Sequence, residues 1–385
     1  MLFFTLLKGF VGLGILFIPN GFYNGGWAFS ILSLFVSMLT TTTWMLLLVN
    51  VSNKHEGLSY SELGTLALGP FGKCLCDITL ASSQASFVVA FTVFIVQNIN
   101  DIYASYFGYR LWRWHLYTFW FFLYSPLTWV RRLQYFAKYH LLADIAIITT
   151  IFIIIIYTGL ELYKEKKFAE DITPFNSDTY LIFMGTAIYA FEGVGIVLPI
   201  KDIAKNQEDF PKVLVLVITV VFLFLSSFGW FWYFVYGSQL ANAPWITKLL
   251  PSGSIPLQIG LIFFMGNVII SYPLVIHPAN MISESYIFRW MQQSTLRKWL
   301  KNINRTIIVG VTVLIGYWLE DSIDRLLSVI GSVTCTPVAF IMPATLHLVL
   351  AAENKFIKIF DIVVITLGLS MMIYLTTFTL MNWND

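Results

Sequence analysis

Lys8-Gly9-Phe10-Val11-Gly12-Leu13-Gly14-Ile15-Leu16-Phe17-Ile18-Pro19 decides the fold. It lies in an apolar run, 1–23, long enough to cross a bilayer. Gly12, Gly14 and Pro19 predict a helix that does not stay regular, because Gly costs helix stability and Pro removes a backbone donor. In lipid, a broken helix survives only where protein or a cavity supplies partners for the freed N–H and C=O groups. Half a chain later the phrase returns as Gly193-Val194-Gly195-Ile196-Val197-Leu198-Pro199. Paired glycine-interrupted spans in matching positions point to a transporter-type binding site.

Composition agrees. The 385 residues are 58% hydrophobic and only 11% charged, against ~25% charged in soluble domains, so the chain is an integral membrane protein. A net charge of +2 gives no reason to expect a nucleic-acid partner. The cysteines Cys74, Cys76 and Cys335 carry no metal spacing and are expected to form no disulfide. There is no phosphate-cradling G-x-x-x-x-G-K-[ST] run, no metal cluster and no nucleophile elbow. The sequence therefore predicts neither a cofactor nor an enzyme.

Apolar windows fall at about 1–23, 27–51, 75–103, 112–130, 139–160, 179–200, 211–236, 256–288, 303–319, 322–350 and 357–381. They predict an all-α polytopic protein of about eleven transmembrane helices, with residues 1–385 as a single transporter domain. Lys and Arg favour one set of alternate loops roughly two to one, which puts the amino terminus in the cytoplasm. Four spans separate the two interrupted helices, so they cross in opposite senses. That is the relation of an inverted 5+5 repeat, about 1–160 and 179–350, with 357–381 as a peripheral helix.

At these residues the chain resembles the amino acid/auxin permease family, in particular its fungal vacuolar amino acid transporters and animal proton-coupled amino acid transporters. The stretches that carry the resemblance are Leu6 to Pro19 with Tyr23-Asn24-Gly25-Gly26, Leu58-Ser59-Tyr60-Ser61-Glu62, Gly185 to Pro199, Phe210-Pro211, and Gly331-Ser332-Val333 with Pro343 and His347. The resemblance implies the LeuT-like broken-helix fold of the amino acid–polyamine–organocation superfamily. It also implies amino acid cargo, neutral species first, a vacuolar or lysosome-like membrane, and release to the cytosol. There are two departures: the long hydrophilic amino-terminal segment common in vacuolar members does not precede Met1, and Thr5 stands where the proton-coupled branch carries a His.

The residues themselves suggest roles. Entering from the cytoplasm, the half-helix that begins near Ile15 has its positive end at mid-membrane. There the backbone of Gly12, Leu13, Gly14 and Ile15 can hold a carboxylate; small residues also serve close helix packing. The first half of the sixth span ends at the second break. Its carbonyls at Tyr189, Ala190 and Phe191 can accept from an ammonium, with Gly193 opening the turn. Glu192 is an intramembrane acid, which makes it a candidate for proton coupling. The alternative is a structural acid bonded to the broken helix. Ser83 and Ser271 are candidate ion or substrate ligands, although membrane Ser and Thr also bond back to their own helix. Asp144, one turn from His140, is a further buried acid. The expected function is secondary active transport of an amino acid, coupled to protons or else sodium, with the lipid bilayer around it and no protein partner required. The competing readings are an amino-acid sensor built on a transporter fold and, with less support, a polytopic membrane enzyme.

Overall fold

The computed structural model describes residues 2–10, 12–55, 57–131, 134–165, 168–202, 204, 206–250 and 254–383. Among them the regular structure is helical. The helices are α1 (Leu2–Phe10), α2 (Gly14–Gly25), α3 (Trp27–Lys54), α4 (Tyr60–Phe107), α5 (Arg113–Trp129), α6 (Gln134–Glu165), α7 (Tyr180–Ala190), α8 (Val194–Asp202), α9 (Phe210–Tyr236), α10 (Ile255–Val275), α11 (His277–Ile287), α12 (Thr295–Leu319), α13 (Ile323–Val329), α14 (Met342–Leu350) and α15 (Lys355–Met381). Seven stretches are long and apolar enough to cross a membrane, or eight if the bent pair α1–α2 is one span. The chain is thus a multi-pass membrane protein.

Each break has a local cause. Between α1 and α2 the axis turns by 50° at the glycines. Pro19 does not break its helix: it lies inside α2, one turn downstream, as Pro199 lies inside α8. In α4 the kink falls at Leu68-Gly69-Pro70, where Gly69 takes φ +65°, a value that only glycine adopts without strain. Pro273 and Pro278 flank the division of α10 from α11 at Ile276.

The chain forms two compact units. The first comprises Met1–Ser83, Ala169–Asn242 and Asp324–Asp385. In it α2 packs on α7 and α9, α3 packs on α7, α9 and α14, and α15 packs on α14. Between α13 and α14 the chain is π-helical over Ile330–Cys335 and Pro337–Ile341. Pro337 cannot donate, and Thr336 before it gives both its N–H and its hydroxyl, the latter at 3.0 Å, to the Gly331 carbonyl. The π stretch approaches α7 backbone to backbone: a Cβ on Gly331 would overlap the Gly185 carbonyl. Large apolar side chains of α15 such as Phe356, Ile362 and Ile373 are exposed, as a lipid-facing surface requires. Its inner stripe is Asp361, Gly368, Leu375 and Thr379. Polar bonds inside the bundle hold that stripe: Ser328 to Thr379 at 3.1 Å, Ser332 to Thr376 at 3.0 Å and His347 Nδ1 to Asp361 at 2.8 Å. Between apolar solvent and apolar side chains, such bonds and close packing drive helix association.

The second unit comprises Gln84–Phe168 and Ala243–Ile323. Here α10 packs on α6 and α12 on α5. Tyr124 stacks on Tyr272 with ring centroids 3.7 Å apart. Arg305, 1% exposed, donates to Glu284 at 2.6 Å and to the Thr128 carbonyl at 2.6 Å, and Lys301 meets the other Glu284 oxygen at 2.7 Å. These bonds tie α5, α11 and α12 together. Removing one partner of a buried ion pair leaves an uncompensated charge at a cost of ~3–5 kcal/mol. Glu284→Ala should therefore lower the thermal unfolding midpoint in detergent sharply, whereas an unchanged midpoint would show the network to be energetically idle.

Candidate functional site

The two breaks lie side by side within the first unit. Phe10, the last residue of α1, lies against Gly193, where an added Cβ would fall 2.5 Å from the ring. Gly9 meets Ile196 of α8 with no room for a side chain. On the other side, Phe17 in the first turn of α2 packs on Tyr189 in the last turn of α7, with centroids 5.4 Å apart.

At the first break the chain makes a tight turn. The N–H groups of Ile15 and Leu16 reach back three residues to Gly12 and Leu13, at 3.5 and 3.2 Å. Among the described residues no backbone carbonyl accepts from Leu13 or Gly14. Leu13 is buried, at 3% exposure, and Gly14 is half-buried beside the buried Ile15. A substituent on Gly12 would meet nothing within 4 Å, and one on Gly14 only the Phe17 ring at 3.8 Å. The space in front of this turn is open.

At the second break α7 gives out at Ala190. Phe191 leaves helical geometry at φ −107°, ψ 6°. The Tyr189 carbonyl accepts from the Glu192 N–H at 3.3 Å, so one of its lone pairs is already used. Among the described residues no backbone N–H reaches the carbonyls of Ala190 or Phe191. One break thus leaves donors and the other leaves acceptors, with the positive end of α2 and the negative end of α7 facing the gap.

Glu192 is built into the second break and is 6% exposed. Its Oε1 accepts from the Val194 N–H at 3.2 Å and so caps α8. Its Oε2 is buried and has no hydrogen-bond partner. Tyr60, Tyr189 and Cys335 are near enough to feel its charge. Tyr60 is itself anchored to the Val338 carbonyl at 3.1 Å. Glu192 therefore lies among α4, α7 and the π stretch.

The serines bond locally. Ser83 gives its hydroxyl to the Leu80 carbonyl at 3.0 Å. Ser271, in the second unit, reaches Asn267 of its own helix at 3.5 Å. The side chains of His140 and Asp144 lie outside the described residues. Sequence reasoning did not find Phe10, Tyr60 and Cys335 as neighbours of the breaks. The one available signal was the Thr336-Pro337 pair, which forces an irregular backbone beside Cys335.

Residues 1–381 match the family described as transmembrane amino acid transporter protein. Vacuolar amino acid transporter 4 of Saccharomyces cerevisiae is 30% identical, over 97% of this chain and 56% of its own length. Vacuolar amino acid transporter 3 of Schizosaccharomyces pombe is 29% identical over 97% and 57%. Amino acid transporter AVT3C of Arabidopsis thaliana is 28% identical over 89% and 81%. The chain spans about half the length of the yeast relatives it matches. All three relatives carry the name of transporters, not of enzymes. With the family's match running from end to end of both broken helices, the chain belongs to the transmembrane amino acid transporter protein family.

Proposed function

We propose that the chain moves amino acids across a membrane as a secondary active transporter, by alternating access around the paired breaks. The carrying observation is complementarity. A zwitterion's carboxylate suits the N–H groups at Leu13 and Gly14, and its ammonium suits the carbonyls of Ala190 and Phe191, none of which has a backbone partner among the described residues. Glu192, with one oxygen unpartnered, is the proposed proton carrier. Neutral amino acids are the proposed cargo, because the carboxylate and ammonium ends of the substrate each have a partner at the breaks. The relatives' names favour a vacuolar membrane, and release to the cytosol is the proposed direction.

The architecture supports an eleven-span reading. Counting α1 with α2, α7 with α8, α10 with α11, and 323–350 as one span each, beside α3, α4, α5, α6, α9, α12 and α15, gives eleven. The stretch Thr295–Leu350 has 56 residues, about 84 Å of helix, which is more than two bilayer cores of ~30 Å. The proposed inverted repeat rests on the recurrence of the broken helix; each compact unit draws on both halves, 1–83 with 169–242 and 324–385 in the first, and 84–168 with 243–323 in the second.

Two tests apply. Purified protein in proteoliposomes should accumulate at least one radiolabelled amino acid under an imposed pH gradient; no uptake of any amino acid with either gradient polarity would overturn the proposal. Single cysteines placed at Lys298 and Lys248 should label from opposite faces of the membrane. Labelling from the same face would remove the eleven-span, inverted arrangement.

A further inference from the structure

The second unit holds a cavity of about 430 Å³ that the helix breaks do not touch, within the ~300–1,000 Å³ of small-molecule sites. It opens among the carboxyl end of α4, the amino end of α5, the segment before α10 and the α12–α13 turn. In the proposed orientation this is the face away from the cytoplasm. Its walls are pinned. Gln97 donates to the Glu320 carbonyl at 2.8 Å and accepts from the Trp245 indole at 2.8 Å. Asn100 exchanges bonds with the Leu111 backbone at 3.1 and 2.7 Å, and Thr247 donates to Asn98 at 2.9 Å.

Six charged side chains line the cavity, three of each sign. Four of them are paired: Arg110 with Asp101 at 2.8 Å, and Arg113 with Asp321 through two bonds of 2.5 and 2.7 Å. Glu320 is paired more loosely, with Arg113 Nε at 3.6 Å, and Lys248 is the sixth. Among the described residues Lys248 makes no ion pair, and its side chain is exposed. Glu320 is 5% exposed, and its Oε2 accepts no hydrogen bond. The nearest cationic atom to that oxygen is Arg113 Nε, 3.6 Å away, too far for a hydrogen bond. A desolvated carboxylate oxygen without a hydrogen-bond donor is costly.

We propose that this cavity is a second binding site for a zwitterionic α-amino acid, with the ligand ammonium on Glu320 Oε2 and its carboxylate on Lys248. The balance of signs selects the ligand class. The lining carries three charges of each sign, so a lone anion or a lone cation would unbalance them, whereas a zwitterion keeps the balance and gives the buried Glu320 Oε2 a donor. The inference rests on the reading that amino acids are the cargo, and it adds a site at which they collect before the central one.

The test is saturation binding of each radiolabelled proteinogenic amino acid to the full chain in lipid nanodiscs, paired with uptake into proteoliposomes. The best ligand should bind at two equivalents. Lys248→Gln and Glu320→Gln should each leave one equivalent of unchanged Kd, and Lys248→Arg should keep both. Uptake from the cavity side should need about tenfold more substrate for half-saturation in Lys248→Gln, the loss of one charge-assisted contact, with the maximal rate unchanged. Lys248 is an exposed loop residue, so this variant keeps the test valid if Glu320→Gln fails to fold. One equivalent in the wild type, or two retained in Lys248→Gln, overturns the second site and leaves the transporter reading standing. Neither binding nor uptake of any amino acid overturns both.

Discussion

Glu192→Gln is expected to abolish pH-gradient-driven accumulation while leaving exchange of substrate down its own gradient intact. The geometry makes the variant informative. Glu192 Oε1 takes the Val194 N–H at 3.2 Å and holds the start of α8. A Gln keeps an acceptor oxygen at that place, so the cap and the break should survive. What Gln loses is a proton that can leave. The buried Oε2, which has no hydrogen-bond partner among the described residues, is where a proton would ride, since intramembrane acids mark proton relays. A carrier that moves one proton per substrate can concentrate substrate about tenfold per pH unit, since each unit supplies ~1.4 kcal/mol. Glu192→Gln should bring that ratio to unity at every imposed gradient. Counterflow, in which labelled substrate enters against unlabelled substrate inside, should remain within about twofold of wild type, since the backbone donors and acceptors of the breaks are untouched. If the residue is only a cap, accumulation persists in Glu192→Gln, and the coupling role passes to another group.

Much of this arrangement was legible in the sequence, for identifiable reasons. Lipid forces long apolar helices, so the window 211–236 anticipated α9 at Phe210–Tyr236 and 357–381 anticipated α15 at Lys355–Met381. The recurrence of G-x-G located both breaks. The prolines misled: Pro19 and Pro199 sit inside helices, because a single missing bond one turn past a break costs less than a second break. The division of labour among the glycines was not legible. Gly9, Gly185, Gly193 and Gly331 are demanded by close neighbours, whereas Gly12 has open space. Those neighbours are Ile196, Ser328, Phe10 and the Gly185 backbone, tertiary contacts that no local pattern records. The Lys248–Glu320 cavity and the contact of the π stretch with α7 escaped for the same reason. Each depends on segments remote in sequence meeting at one place. Ser83 and Ser271 were singled out because they are polar in apolar surroundings; each gives its hydroxyl to a group of its own helix, Ser83 to Leu80 and Ser271 to Asn267.

The glycines then predict two failures of different kind. Gly12→Val should fold, reach the membrane and bind no substrate. Nothing lies within 4 Å of the position its Cβ would take, so packing does not object. The added methyl groups would instead stand in the open space before the Leu13 and Gly14 N–H groups, where the substrate carboxylate is proposed to sit. Gly193→Ala should fail earlier. Its Cβ would fall 2.5 Å from the Phe10 ring, with further ring atoms at 2.9 and 3.1 Å, and the ring is 7% exposed in a packed surround. The ring must shift by about an ångström into neighbours at crystal-like density, at a cost of ~1–3 kcal/mol. That opens the contact that holds the two breaks together. The expected results are low yield by size-exclusion chromatography in detergent and no binding in what remains. Phe10→Ala in the same chain removes the clash, so the double variant should recover yield over Gly193→Ala alone, and the excess over additivity measures the contact. Gly12→Val at wild-type affinity would take the first break out of the binding site. Gly193→Ala at wild-type yield and affinity, or no recovery with Phe10→Ala, would show that Phe10 and Gly193 do not set the distance between the breaks.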